Sequence, residues 1–107
     1  MRTVLITGGA RGIGAACVRR FAARGDRVWF LYEKNDAAAE AVSRETGAAA
    51  IRCDVADAAQ VGRVFETLPP LDVLVCSAGI VQYGPLSAIT DAEWRRLFAV
   101  NVDGVFH

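Results

Sequence analysis

Residues 7–14 read Thr7-Gly8-Gly9-Ala10-Arg11-Gly12-Ile13-Gly14. A β-branched run (Thr3, Val4, Leu5, Ile6) precedes this segment and a helical pattern follows it. Glycines at such a junction allow a tight turn and let bare backbone approach a ligand, while Gly14 lets the following helix lie close to a strand. The helix N-terminus adds free N–H groups and the positive end of its dipole. This combination suits the pyrophosphate of a dinucleotide. The spacing is Gly-x-x-x-Gly-x-Gly, and no Gly-Lys-Ser/Thr follows, so an ATP-binding P-loop is excluded. A glycine-rich turn without a ligand is the alternative.

A second candidate lies downstream. In dinucleotide-binding βαβ units an acidic residue about 20 positions beyond the last glycine grips the adenosine ribose diol of NAD, whereas a basic one suits the 2′-phosphate of NADP. Counted from Gly14, that place falls on Tyr32 and Glu33. Glu33 would repel a 2′-phosphate and accept from ribose hydroxyls; Arg11 and Lys34 would offset phosphate charge. The balance favours NAD over NADP, with a solvated strand end as the alternative for Glu33-Lys34.

The remaining reactive side chains point to less. Cys17, Cys53 and Cys76 lie in apolar segments without metal-ligand or disulfide-scaffold spacing, which reads as buried free thiols in a reducing cytoplasm and no metal site. His107, the last residue, has no carboxylate or nucleophile placed near it and is expected to be a solvated, frayed end.

These residues sit on a chain of 107, enough for one small domain. Twelve Lys and Arg balance twelve Asp and Glu, which argues against a nucleic-acid partner. With 53% hydrophobic residues the chain can build a core and is not disordered. No apolar run approaches the ~20 residues of a membrane span. The N-terminus lacks the long apolar region of a signal peptide, so no membrane partner is expected and the location is read as cytoplasmic.

The elements alternate. Strands are predicted at 3–6, 28–32, 48–53 and 71–76, and helices at 13–24, 36–46, from 57 to the Pro69-Pro70 stop, and from 90 to the C-terminus. Ile13, Cys17, Val18 and Phe21 form the predicted buried stripe of the first helix. Val61, Val64, Phe65 and Leu68 do so in the third, and Trp94, Leu97, Phe98 and Val105 in the last. Asp57 with Gln60, and Thr90 with Glu93, read as capping boxes. Strands apolar throughout, each followed by a helix, specify an α/β fold with a doubly wound parallel sheet. Right-handed crossovers give four strands the order 3-2-1-4. Ligands bind such sheets where the strand order reverses, beyond the strands' carboxyl ends. Here that crevice lies between residues 7–14 and residues 77–79.

Thr7-Gly8-x-x-x-Gly12-Ile13-Gly14 resembles the cofactor fingerprint of the short-chain dehydrogenase/reductase family, and the rest of the chain follows that family's order. Cys53-Asp54-Val55 resembles its segment bordering the adenine. Leu74-Val75-Cys76-Ser77-Ala78-Gly79-Ile80 resembles its Asn-Asn-Ala-Gly segment. Asn101-Val102 resembles the helix that supplies the Asn of its catalytic tetrad. The resemblance implies a Rossmann-type fold. It also implies a cofactor site of Gly8, Arg11, Gly12, Ile13, Gly14, Glu33, Asp54, Val55, Ser77, Ala78 and Gly79, with Asn101 as a catalytic residue holding a water in a proton relay.

Two departures stand out. Cys76 and Ser77 replace the two asparagines; the Ser77 hydroxyl can cover part of their hydrogen bonding and the Cys76 thiol little. The family's Ser and its Tyr-x-x-x-Lys are absent: Tyr32 and Tyr83 are the only tyrosines and Lys34 the only lysine. The chain is therefore expected to be the incomplete N-terminal dinucleotide-binding part, residues 1–107, of a single Rossmann domain. The parent would be an NAD(P)-dependent oxidoreductase, a homo-oligomer moving hydride between nicotinamide and a small-molecule alcohol or ketone. These 107 residues alone would be inactive, and the fourth strand would be left as an exposed edge. The alternative is a catalytically inactive dinucleotide-binding or interaction module.

Overall fold

A computed structural model of the chain describes residues 1–81 and 83–107. Strands β1 (Thr3–Thr7), β2 (Arg27–Tyr32), β3 (Ala49–Arg52) and β4 (Val73–Cys76) form a parallel sheet. Their order is β3-β2-β1-β4, as the alternating pattern predicts. The register pairs Ile6 with Phe30 and Val75, and Thr7 with Leu31 and Cys76, so β1 and β4 end level and β2 runs one residue further, to Tyr32.

Successive residues of a strand face opposite sides of a sheet, so strands apolar throughout build two cores. On one face Val4, Ile6, Val28 and Phe30 pack against Ala15 and Val18 of α1 (Gly12–Ala23) and Ala39 and Val42 of α2 (Asp36–Thr46). On the other, Leu5 and Leu31 pack against Val61 and Val64 of α3 (Ala58–Thr67). Beyond β4 a 3₁₀ turn (Leu86–Ala88) leads into α4 (Asp91–Phe98). A π-helical turn (Ala99–Asp103) and the short α5 (Gly104–Phe106) follow. The single last helix predicted from the sequence is thus interrupted. A π turn resets the angular phase of the side chains, and Val100 becomes the buried residue of this region.

Several predicted faces shift for related reasons. Ile13 is 79% exposed, because it lies in the first turn of α1, beyond the strand ends, while Gly14, Ala15 and Val18 meet the sheet. Phe65, Trp94, Phe98 and Val105 are exposed as well; Trp94 and Phe98 stack on each other with ring centroids 4.9 Å apart. Only Cys53 is a buried thiol. Cys17 is half-buried, and Cys76 is exposed because the inward positions of the edge strand β4 are Val73 and Val75. Two strands are shorter than predicted. Asp72 precedes β4, its N–H donating to the Thr3 carbonyl and its carboxylate accepting from the Thr3 N–H. Nor is His107 free: its Nδ1 donates to the Val55 carbonyl over 2.9 Å.

Phe30 belongs to the first core, and Phe65 of α3 lies outside both. Phe30, on β2, is fully buried between the sheet and the α1–α2 layer, whereas Phe65 is 42% exposed. Phe30→Ala should lower the unfolding free energy by about 3–5 kcal/mol, and Phe65→Ala by less than about 1 kcal/mol. Urea denaturation of both variants checks this; equal losses would contradict the assignment of the core.

Candidate functional site

The site is built where β1 and β4 end side by side and the chain leaves them in opposite directions across the sheet. Thr7 closes β1, and its hydroxyl oxygen accepts from the N–H groups of both Ser77 and Ala78, each at 3.0 Å. Gly9 N–H donates to the Leu31 carbonyl, tying the glycine turn to β2 as well. The sequence singles out Thr7 only as part of a motif; its role as a double acceptor emerges from the pairing of β1 with β4. The same contact alters the part expected of Ser77. Its backbone N–H makes the bond, and among the described residues its hydroxyl makes none.

Two glycines explain the shape of the turn. Gly12 has φ +57° and nothing within 4 Å of where a Cβ would stand, so its open side faces free space. A Cβ on Gly14 would drive into the Gly8 carbonyl, so Gly14 sets how close α1 comes to the turn. Among α1–α4, α1 alone begins without a side-chain cap. Asn35, Asp57 and Thr90 cap the other three, while Arg11 at the start of α1 makes no such bond. No acidic residue stands in the first turn of α1. Its first N–H groups and positive dipole end remain available to an anion.

These turns surround a cavity of about 550 Å³, within the range of small-molecule sites. Gly8, Arg11, Gly12, Ile13, Gly14, Glu33, Asp54, Val55, Ser77, Ala78 and Gly79 all line it. Lys34, Asn35, Cys53, Ile80 and Val100 join them. Asn101 does not line the cavity but acts on its wall. Its Oδ1 accepts from the Ile80 N–H and its Nδ2 donates to the Ile80 carbonyl, both over 2.9 Å. Asn101 lies in the π turn and is exposed, with its amide paired to the segment after β4.

Charge at one end of the cavity is shared in a way the sequence does not reveal. Arg96 reaches across from α4. Its Nη1 donates to Asp54 Oδ2 at 3.0 Å, and its Nη2 to Asp54 Oδ1 at 3.3 Å and to Glu33 Oε1 at 2.5 Å. The Glu33 carbonyl accepts from Arg52 Nε. Asp54 Oδ1 also accepts from the Ala56 N–H, and the Asp54 N–H donates to Gln60 Oε1. Gln60 therefore departs from a reciprocal capping box: its Nε2 donates to the Asp57 carboxylate while its oxygen holds the Asp54 backbone. Among the described residues, Arg11 and Lys34 pair with no carboxylate. Burial pushes the Cys53 thiol up, so it stays protonated and is no nucleophile. No group of three metal-ligating side chains occurs among the described residues, and none of their helices is long and apolar enough to cross a membrane.

Partial burial raises the Asp54 carboxyl, but Arg96 and the Ala56 N–H outweigh it and hold the carboxyl below its ordinary 3.8. Hydrogen bonds from the Arg2 backbone and from Gln60 hold Asp26 and Asp57 below it too. A carboxylate with a depressed folded value contributes stability that is fully present above 3.8 and lost as pH falls through that folded value. Stability should therefore fall progressively as pH drops below about 4. Asp54→Asn should flatten that fall, as read from urea midpoints across the range. A variant falling as steeply as the parent would contradict the pairing.

The chain is 42% identical over 106 residues to the cyclic-di-GMP-binding biofilm dispersal mediator protein of Escherichia coli (strain K12), covering 99% of this chain and 45% of that protein. It is 37% identical over 110 residues to an acetoacetyl-CoA reductase of Paracoccus denitrificans, covering 99% and 46%. The crystal structure of BdcA in complex with NADPH matches with a TM-score of 0.94 at 42% identity, covering 99% of this chain and 43% of that one. A short chain dehydrogenase from Burkholderia cenocepacia J2315 in complex with NADP matches with a TM-score of 0.85 at 40% identity, covering 98% and 46%. These structures hold NADPH or NADP, so the balance toward NAD drawn from Glu33 gains no support; that carboxylate is already engaged by Arg96. The chain spans less than half the length of the curated relatives it matches. The short chain dehydrogenase family model matches residues 2–107, and the chain belongs to that family.

Proposed function

We propose that residues 1–107 form the NADP(H)-binding part of a single Rossmann domain in an oxidoreductase acting on an alcohol or ketone. The carrying observation is the uncapped start of α1, opening onto the cavity beside Gly12, where among the described residues nothing lies within 4 Å of the place a Cβ would take. The first N–H groups of α1 hold the phosphates, and the Gly12 backbone admits them closely. Asp54 and Val55 border the adenine. Arg11 and Lys34 offer unpaired positive charge to a 2′-phosphate. Ser77, Ala78 and Gly79 form the opposite wall. Asn101 positions that wall through Ile80, and in a complete enzyme it also holds the water of a proton relay. When bound, the nicotinamide supplies reversible hydride transfer.

One observation favours a second reading, a dinucleotide-binding module without catalysis: a relative 42% identical to this chain is named for binding cyclic di-GMP. Both ligands present purine and phosphate, so both would use the cavity at α1.

Calorimetric titration separates the readings. NADPH should bind the parent chain and bind a Gly12→Asp variant at least about 100-fold more weakly, since the new carboxylate fills the phosphate space and repels it. Asp tolerates a left-handed conformation better than most residues, so the variant should still fold. Equal heats from parent and variant would remove the site assignment. Cyclic di-GMP binding in place of NADPH would favour the second reading.

Activity gives an independent check. These 107 residues contain no Tyr-x-x-x-Lys, and positioned proton transfer is typically worth about 10²–10⁴-fold. The purified chain should bind cofactor without turning over alcohols or ketones. Steady NADPH oxidation above background, with ketones supplied, would overturn this.

A further inference from the structure

We propose that Arg96 sets the cofactor preference of this site: by holding Glu33 in an ion pair it cancels the negative charge that would otherwise meet a 2′-phosphate, and so admits NADP(H). The inference rests on the dinucleotide-binding reading above and extends it to a residue from a distant helix.

Tyr32 and Glu33 share the place after β2 where an acidic side chain selects the unphosphorylated ribose and a basic one the 2′-phosphate, and Glu33 is the charged one of the two. Left alone, its carboxylate would repel a 2′-phosphate and cancel one of the two cations, Arg11 and Lys34, that line the same cavity. The structure provides a counter-charge. Arg96 Nη2 lies 2.5 Å from Glu33 Oε1, and the same guanidinium grips Asp54 with both terminal nitrogens. Among the described residues Arg96 is the one cation within ion-pair distance of the Glu33 carboxylate. Arg52, the other arginine nearby, gives its Nε to the Glu33 backbone carbonyl and lies 3.9 Å from Asp36.

Asp54 anchors the device. A guanidinium reaching Glu33 alone would be a flexible surface contact worth little. The two-pronged grip on Asp54, itself fixed by Ala56 and Gln60, holds Arg96 at a set point, so its charge is delivered at Glu33. Hydrogen bonding to Asp54 also raises the Arg96 pKa further, so the counter-charge persists at every working pH. Arg96 is a positioning residue: it acts through Glu33, and it leaves Arg11 and Lys34 to meet the phosphate.

The test is the affinity ratio of NADPH to NADH, measured by calorimetry on the 107-residue chain, with folding of each variant followed by circular dichroism. The parent should prefer NADPH. Arg96→Met, which keeps the apolar stem and removes the charge, should weaken NADPH about tenfold or more while changing NADH less than about threefold. Adding Glu33→Gln to Arg96→Met should restore NADPH binding, which a merely structural role for Arg96 would not produce. A folded Arg96→Met variant with the parent's ratio would overturn the proposal, as would a double variant that stays weak for NADPH. Should the parent bind NADPH and NADH equally, selection by Arg96 fails while the dinucleotide reading stands. Should it bind neither, that reading fails and takes this proposal with it.

Discussion

The site depends on one hydroxyl. Where strand order reverses, the connections leaving β1 and β4 diverge, and the gap between them has no ladder of its own to close it. Thr7 spans it from the last position of β1, accepting from the two N–H groups that begin the segment after β4. Backbone donors half-buried at the end of a sheet are costly to leave unpaired. The bond to Thr7 therefore fixes residues 77–79 against residues 8–14 before any ligand arrives. Gly14 lets α1 approach the same turn, and Asn101 holds the far side through Ile80. A cavity with backbone amides along one wall follows from these contacts.

Electrostatics then divides that cavity. One side carries the positive end of α1 and the unpaired cations Arg11 and Lys34. The other carries Glu33 and Asp54, whose charges are met by the single guanidinium of Arg96. An anion is thus favoured at the helix start, and neutral polar recognition is possible beside Asp54. The division suits a molecule with phosphates at its centre and a purine at one end.

The sequence makes some of this plain and hides the rest, for physical reasons. Strands apolar on both faces and the Gly8-Gly12-Gly14 turn between strand and helix follow from short-range rules, and the sheet order and the crevice between residues 7–14 and 77–79 follow from them, whereas Asp54 and Val55 are legible only through the family resemblance. Capping was half legible. Asp57 and Thr90 cap their helices, but Gln60 turns its oxygen to the Asp54 backbone, a choice set by a segment outside the helix. Faces judged by period alone went astray at Ile13, Trp94 and Phe98, since a periodic stripe is buried only where another layer covers it. Arg96 was invisible as a site residue because its partners lie 63 and 42 positions away. Nothing in one sequence pairs an arginine on α4 with a glutamate after β2, so a preference for NAD drawn from Glu33 leaves that partner out.

In the proposed function the turns after β1 and β4 together form a dinucleotide cradle. Residue-resolved NMR of the chain titrated with NADPH tests it most directly, because the amides themselves report where the ligand lies. The largest shifts should fall at residues 8–14, 33–35, 54–55 and 77–80, with residues 46–49 at the opposite end of the sheet unmoved. Shifts concentrated in the concavity between Ala22 and Ala49, with the amides of Gly12 and Gly14 silent, would contradict it.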